Sequence, residues 1–168
     1  DLSLERVQEV LDVVEESGVR LMLGFNRRFD PEFKRIRSLV ENDAVGDPQI
    51  IKITSRDPGP PPVSYIKVSG GMFLDMTIHD FDMARFLLGE EVVDVSAQAS
   101  CLVDAAISDA GDVDTALVVM RTASGKLAQI SNSRRASFGY DQRFEVHGSK
   151  GMLTATNVNE HTLTSYTE

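Results

Sequence analysis

The chain has 168 residues, a length that suits one domain, or one domain together with part of another. Its formal net charge is −9 and its isoelectric point is about 4.8, which argues against nucleic acid or an anionic membrane as the main partner. The single cysteine excludes a disulfide within the chain, and no apolar run approaches the roughly 18 residues of a membrane span. These features are typical of a globular protein of a reducing compartment, so we expect a cytoplasmic location.

The N-terminal residues predict one helix followed by one strand. The helix is expected over residues 3–17, with Ser3 as its cap and Gly18 at its end. The apolar run VRLMLGF, residues 19–25, has the pattern of a strand buried on both faces, as in a parallel sheet. Residues 1–24 therefore resemble one α–β unit of a doubly wound domain, and residues 25–168 form a second predicted domain. One such unit cannot cover both of its faces, so we expect it to be part of a larger domain.

Two further helices are predicted in the next part of the chain. Asp30 as N-cap and Pro31 at the first helical position mark a helix over residues 31–42. A strand is expected over residues 49–56, and DPGPPP, residues 57–62, then forms a rigid loop that cannot enter a sheet. The segment GGMFLDMTIHDFDMARFLLG predicts a helix over about residues 74–88.

The last eighty or so residues alternate between strand-like runs and short turns. The predicted strands cover residues 92–103, 114–122, 126–136, 142–148 and 151–158. Short turns between successive strands favour antiparallel pairing. We therefore predict an α+β fold, with a large, open, mostly antiparallel sheet and helices on one face. The other face needs a cover, so we expect a homo-oligomer formed through the sheet.

The third helix carries a carboxylate and an imidazole four residues apart. Asp75 and His79 share a face of a regular helix, and a carboxylate orients an imidazole and increases its basicity. Such an imidazole can act as a general base on an alcohol. The same spacing also occurs in pairs that only stabilise a helix, by about a few tenths of a kcal/mol, and spacing alone favours this interpretation.

Other site classes find little support in the sequence. It contains no glycine-rich dinucleotide loop, no phosphate-binding P-loop, no paired-cysteine motif and no nucleophile elbow. The three histidines are His79, His147 and His161, and we expect surface positions for the last two. Asp80 and Asp82 do not share the face of Asp75, so no metal site is predicted. The basic pair at residues 134–135 is expected on a solvated face.

Several blocks of the chain carry a resemblance to a known family. They are GFNRRFDP (24–31), ITSRDPGPPP (53–62), YIKVSGGMFLDMTIHDFDMARFLLG (65–89), GDVDTALV (111–118) and GYDQRFEVHGSKGML (139–153). In this order they resemble the inositol 2-dehydrogenases of the Gfo/Idh/MocA family of NAD(P)-dependent sugar and polyol oxidoreductases. The D-x-x-x-H-D motif in the third block is specific to that family.

The resemblance implies roles for five residues. His79 would be the base that acts on the substrate hydroxyl, and Asp75 would orient it or join a proton relay. Asn26 and Arg27 match positions that face the substrate, and Arg27 also matches a position at the nicotinamide. Tyr140 matches a substrate-contacting aromatic residue. Many relatives have a second tyrosine at the position of Phe138.

The resemblance also implies a reaction and an assembly. The reaction is oxidation of myo-inositol to 2-keto-myo-inositol with NAD, or NADP, bound mainly by an N-terminal Rossmann domain. The assembly is a tetramer through the open sheet. The family's glycine-rich loop and catalytic lysine lie before the position that corresponds to Asp1, and Lys67 does not match that lysine. We therefore expect a C-terminal part that is inactive alone. Two alternatives stay open: another polyol or sugar as substrate, or a non-catalytic assembly or ligand-binding module.

Overall fold

A computed structural model describes residues 3–157 of the chain. The α-helices are α1 (Leu4–Ser17), α2 (Pro31–Glu41), α3 (Val63–Ser69), α4 (Ile78–Leu88) and α5 (Ala105–Asp109). A 3-10 helix, Asn26–Phe29, precedes α2, and a π-helix, Phe73–Thr77, runs directly into α4. The strands are β1 (Pro48–Arg56), β2 (Val92–Ser100), β3 (Thr115–Thr122), β4 (Leu127–Ser133), β5 (Asp141–Gly148) and β6 (Met152–Ala155).

The strands form one six-stranded sheet in the order β2-β3-β4-β1-β5-β6. β1 and β4 are paired in parallel, and all the other neighbours in this sheet are antiparallel. The predicted α+β fold with an open, mostly antiparallel sheet is therefore confirmed. The parallel pair arises because β1, the first strand in sequence order, inserts between β4 and β5, which a simple meander does not allow.

The hydrophobic core lies between one face of the sheet and helices α2 and α4. Ile36 of α2 and Leu87 of α4 are buried against inward-facing strand residues such as Ile53, Ile130 and Phe144. Helix α2 starts where the sequence places it: Asp30 caps α2 by accepting from the backbone N–H groups of its first turn, and Pro31 is its first residue. Helices α3 and α5 are not among the elements that the sequence predicts. The opposite face of the sheet is open, and Leu117 and Val119 are each 51% exposed there.

The predicted strand at residues 19–25 is wrong. Helix α1 forms as expected, with Ser3 accepting from the Arg6 N–H and Gly18 ending it at a φ of 66°. Residues 19–25, however, are irregular, and Met22 is 74% exposed. A strand of this kind needs neighbouring strands and covering helices, which the described part of the chain does not supply. Helix α1 likewise has no buried residue.

Two further expectations concern exposed positions and membrane spans. His147 is exposed, near the end of β5 rather than in a turn, and His161 lies outside the described residues. Between residues 3 and 157, no helix is long and apolar enough to cross a membrane.

Truncating the core should destabilise the fold far more than truncating an exposed leucine. Leu87 is fully buried, so we expect Leu87→Ala to lower the free energy of unfolding by about 2–5 kcal/mol. Leu102, which is 73% exposed, is the matched control, and Leu102→Ala should change it by less than about 0.5 kcal/mol. Urea denaturation followed by circular dichroism measures both. Equal losses would contradict the packing described.

Candidate active site

The candidate site lies at one end of the sheet. The last residues of the parallel strands β1 and β4, Arg56 and Ser133, are paired with each other. β3 and β5 run in the opposite direction, so both begin at this same end. The segments that follow β1 and β4 therefore meet those that precede β3 and β5, and they carry Asp57, Arg134 and Tyr140. We call this region the site end of the sheet.

A fully buried carboxylate, that of Asp80, holds the site end together. Arg27, from the 3-10 helix, makes a short ion pair with Asp80 and donates to Ser55 Oγ at 3.3 Å. Asn132 Nδ2 donates to the other oxygen of Asp80 at 2.7 Å, and Thr77 Oγ1 donates to Asn132 Oδ1 at 2.8 Å. Burial raises the pKa of Asp80, while Arg27 and Asn132 act in the opposite direction. The network joins β1, β4, α4 and the 3-10 helix.

Asp75 lies in the π-helix, and this changes its partners. Tyr65 Oη donates to Asp75 Oδ1 at 2.7 Å, and Arg134 Nη1 lies 3.5 Å from Asp75 Oδ2. Within residues 3–157 no hydrogen bond joins Asp75 to His79. The predicted direct pair is thus not formed, because a π-helix bonds residue i to i+5 and disturbs the four-residue spacing of a regular helix. The interaction with Asp75 raises the pKa of Tyr65, so the tyrosine stays a donor.

His79 is half-buried at the start of α4. Its ring meets the edge of Phe25, with ring centres 6.2 Å apart and planes at 83°. Phe25 directly precedes Asn26 and Arg27, so the structure brings the imidazole close to the segment from which two other predicted site residues come. The imidazole is therefore partly exposed, as a group that exchanges a proton with a substrate needs to be.

The three predicted substrate residues line one cavity. It has a volume of about 510 Å³, and its wall includes Asn26, Arg27, Tyr140 and Gln142. Tyr140 Oη donates to Gln142 Oε1 at 2.7 Å, and partial burial raises the pKa of Tyr140. Arg27 contributes to the wall while its guanidinium is paired with Asp80. The wall also includes Asp30 and Glu32, so the cavity offers amide, hydroxyl and carboxylate groups.

The structure adds polar residues to the site end that the sequence did not predict. Arg134, expected on a solvated face, is 1% exposed and lies between Asp75 and Asp112. Partial burial raises the pKa of Asp57, against the lowering effect of Arg134 and Arg27. Asn132 could have been recognised from the sequence, because it is a polar residue at an inward position of a strand whose other inward residues are apolar.

The glycine pair before the π-helix has a structural reason. Gly71 has a φ of 75°, and a Cβ there would lie 2.7 Å from Asp112 Oδ1. Asp112 accepts from the backbone N–H of Met72 at 3.0 and 3.1 Å. The close approach that the glycines permit is therefore made by a carboxylate of the chain itself. No cluster of potential metal ligands occurs in residues 3–157.

Comparison with known proteins identifies the family. Residues 33–154 match the sequence model of the GFO/IDH/MocA C-terminal domain. The chain belongs to the GFO/IDH/MocA family. It is 60% identical over 157 residues to the inositol 2-dehydrogenase of Rhizobium meliloti (strain 1021), an alignment that covers 94% of this chain and 48% of that protein. The resemblance drawn from the sequence blocks is thereby confirmed.

Solved structures of the GFO/IDH/MocA family share the fold. A myo-inositol dehydrogenase from Corynebacterium glutamicum ATCC 13032 superposes with a TM-score of 0.91 at 44% identity, over 99% of this chain and 50% of that one. A scyllo-inositol dehydrogenase from Lactobacillus casei, solved with bound NAD(H) and scyllo-inositol, superposes with a TM-score of 0.80 at 31% identity. This superposition covers 100% of this chain and 51% of that one. The chain spans about half the length of these relatives.

Removing Arg27 should destabilise the fold, because the buried carboxylate of Asp80 then has no cation beside it. Arg27→Met leaves Asp80 without its cation, and we expect the free energy of unfolding at pH 7 to fall by about 3–5 kcal/mol. An unpaired buried carboxyl has a higher pKa in the folded than in the unfolded state, so this loss should grow as the pH rises above about 4. Urea denaturation at several pH values measures it.

Two further variants complete this test. Adding Asp80→Asn to Arg27→Met removes the buried charge and should recover part of the stability. Arg135→Met is the control, because Arg135 is exposed. A loss in Arg27→Met no larger than that of the control would show that the Arg27–Asp80 pair does not stabilise the fold.

Proposed function

We propose that this chain carries the substrate side of the active site of an NAD-dependent oxidoreductase that oxidises a cyclic polyol, myo-inositol in particular. The observation that supports this most is the arrangement of His79. Its half-buried imidazole follows an ordered carboxylate, Asp75, and its neighbour Phe25 leads into a polar cavity wall. Family membership and the names of the relatives favour the same reaction class.

The proposed reaction takes a proton and a hydride from one carbinol group. His79 accepts the hydroxyl proton while the C–H hydrogen leaves with its electron pair, and the carbon becomes a ketone. When bound, the nicotinamide supplies the hydride acceptor. Asp75, whose carboxylate is held by Tyr65 and Arg134, would orient the base or take part in the proton relay. The products are then 2-keto-myo-inositol, NADH and a proton.

The side chains of this chain suit the proton-transfer part of such an active site. They are less suited to binding the dinucleotide NAD. The sequence has no glycine-rich loop for a diphosphate. Arg27, which the resemblance also assigns to the nicotinamide, has its guanidinium engaged by Asp80. We therefore propose that a preceding Rossmann domain, of which residues 1–24 are the last part, binds most of NAD, and that the isolated chain is inactive. NADP is the alternative cofactor. We propose a cytoplasmic location for the protein.

The cavity wall suits a polyol. Asn26 offers an amide, Tyr140 a hydroxyl, and Asn157 a second amide at the same cavity. Tyr140 is 51% exposed, so part of its ring is open to a ligand. Phe138, where many relatives carry a tyrosine, is 71% exposed and brings no hydroxyl. A different inositol isomer or a sugar is the second candidate substrate.

The open face of the sheet supports a second proposal, that the protein is a homo-oligomer, most simply a tetramer, through this face. Strand β3 presents Leu117 and Val119 on it, and charged residues such as Lys52 and Glu145 pair with each other on neighbouring strands. The exposed apolar residues of β3 would form the apolar core of such an interface, and the paired charges would lie at its polar rim. The same face would serve the alternative function of a non-catalytic assembly module.

Replacing the proposed base should abolish most of the turnover. In the full-length protein, we expect His79→Ala to lower kcat for NAD-dependent myo-inositol oxidation by about a hundredfold or more, because proton transfer loses its acceptor. NADH absorbance measures the rate. His147→Ala is the control, because His147 is exposed on β5. An unchanged kcat in His79→Ala would refute the assigned role.

A charge on the open face should disrupt the assembly. Val119→Asp places an unpaired carboxylate there, and we expect the oligomer of the full-length protein to dissociate in sedimentation velocity at micromolar concentration. Arg35→Asp, at an exposed position of α2 on the other side of the sheet, should leave the sedimentation coefficient unchanged. A monomeric unmodified protein would contradict the proposal.

A further inference from the structure

Arg134 is a buried cation that does not act directly in the proposed reaction. Its side chain is 1% exposed, and its backbone N–H donates to Asp114 O at 2.8 Å. A guanidinium without water must be paired, since an isolated buried charge costs several kcal/mol. Its two terminal nitrogens each lie 3.5 Å from a carboxylate oxygen, one of Asp75 and one of Asp112.

The two carboxylates that face Arg134 lie at successive turns of the helical segment that leads to His79. Asp112 accepts a hydrogen bond from the backbone N–H of Met72 and packs against Gly71. These two contacts hold the start of the helical segment in place. Asp75 lies three residues further on, in the π-helix. The cation therefore links the start of the segment to the carboxylate on it, and this segment continues into α4 and His79.

Both oxygens of Asp75 are engaged by donors or charge. Tyr65, from α3, donates to Oδ1, and Arg134, from the end of β4, faces Oδ2. The other charged groups near it are Asp57, after β1, and Asp112, which shares Arg134; His79 follows on α4. Arg134 is thus the cation that offsets the carboxylates around Asp75.

We propose that Arg134 is a positioning residue, which acts through Asp75: it fixes the orientation of the Asp75 carboxylate on the segment that carries His79. The inference rests on the proposed function. It assigns no contact with substrate to Arg134. Its effect on catalysis therefore requires the carboxylate of Asp75.

A double-mutant cycle in the full-length protein tests this dependence. Arg134→Gln removes the charge, and we expect kcat for myo-inositol oxidation to fall about tenfold to a hundredfold, with KM changed much less. Asp75→Asn alone should also lower kcat. In the Asp75→Asn background, Arg134→Gln should have little further effect, because its target is gone. Independent effects, which multiply in the double variant, would overturn the proposal.

The charge-conserving variant separates positioning from general stability. Arg134→Lys keeps the buried charge but replaces the planar guanidinium by a single nitrogen, which cannot face Asp75 and Asp112 with the same geometry. We expect its kcat to lie between that of Arg134→Gln and that of the unmodified protein, with KM changed much less. Arg135→Gln, at the exposed neighbouring position, is the control and should leave kcat unchanged. A raised KM with an unchanged kcat in Arg134→Gln would overturn the proposal.

A measurement without turnover distinguishes this inference from the proposed function. A crystal structure of Arg134→Gln should show the Asp75 carboxylate turned away from Tyr65 Oη, whether or not the protein oxidises inositol. An unchanged orientation of Asp75 would refute the inference alone, and absent polyol oxidation with a changed orientation would refute the proposed function alone. If Arg134→Gln does not fold, Arg134→Lys decides. A kcat equal to that of the unmodified protein overturns the proposal, and a kcat that Arg134→Lys lowers in the unmodified protein but not in the Asp75→Asn background supports it.

Discussion

The carboxylate of Asp80 is fully buried, and the site end of the sheet is organised around it. A charge in that position requires a cation and further donors, because desolvation of an ion costs several kcal/mol. Arg27 supplies the cation from the 3-10 helix, and Asn132 supplies a donor from β4. Three elements far apart in the sequence are thereby held in one arrangement. The entry of the chain into α2, and with it Phe25 beside His79, depends on that pair.

The π-helix that precedes α4 determines the directions in which the acidic side chains of this helical segment point. One extra residue in a turn rotates Asp75 out of the spacing that a regular helix would give it. Its carboxylate is directed to Tyr65 and Arg134, whereas Asp80, five residues later, is directed into the core. π-helical turns are frequent at functional sites because they redirect side chains in this way. The acids of the segment therefore have different environments.

Two surfaces of the chain remain without cover in the described residues. One is helix α1 with the apolar residues that follow it, of which Leu23 is 68% exposed. The other is the outer face of the sheet. Surface of this kind is usually covered in a complete protein or assembly. A preceding domain and a second subunit, as proposed above, would account for one surface each.

Local features of the sequence determined most of the elements but only part of the site, and they did not predict α3, α5 or the π-helix. The caps of α1 and α2, the helical period of α4 and the alternation in the strands are set by residues close together in the chain, so they were predictable. The family blocks likewise led to His79 and Asp75 and to three residues that share one cavity. The position of β1 between β4 and β5, the burial of Arg134 and the Arg27–Asp80 pair were decided by tertiary structure alone. These features join residues more than fifty positions apart, and the burial that gives each charge its partner exists only once the sheet has formed. For the same reason residues 19–25, strand-like in sequence, form no strand where no neighbouring strand is present to pair with them.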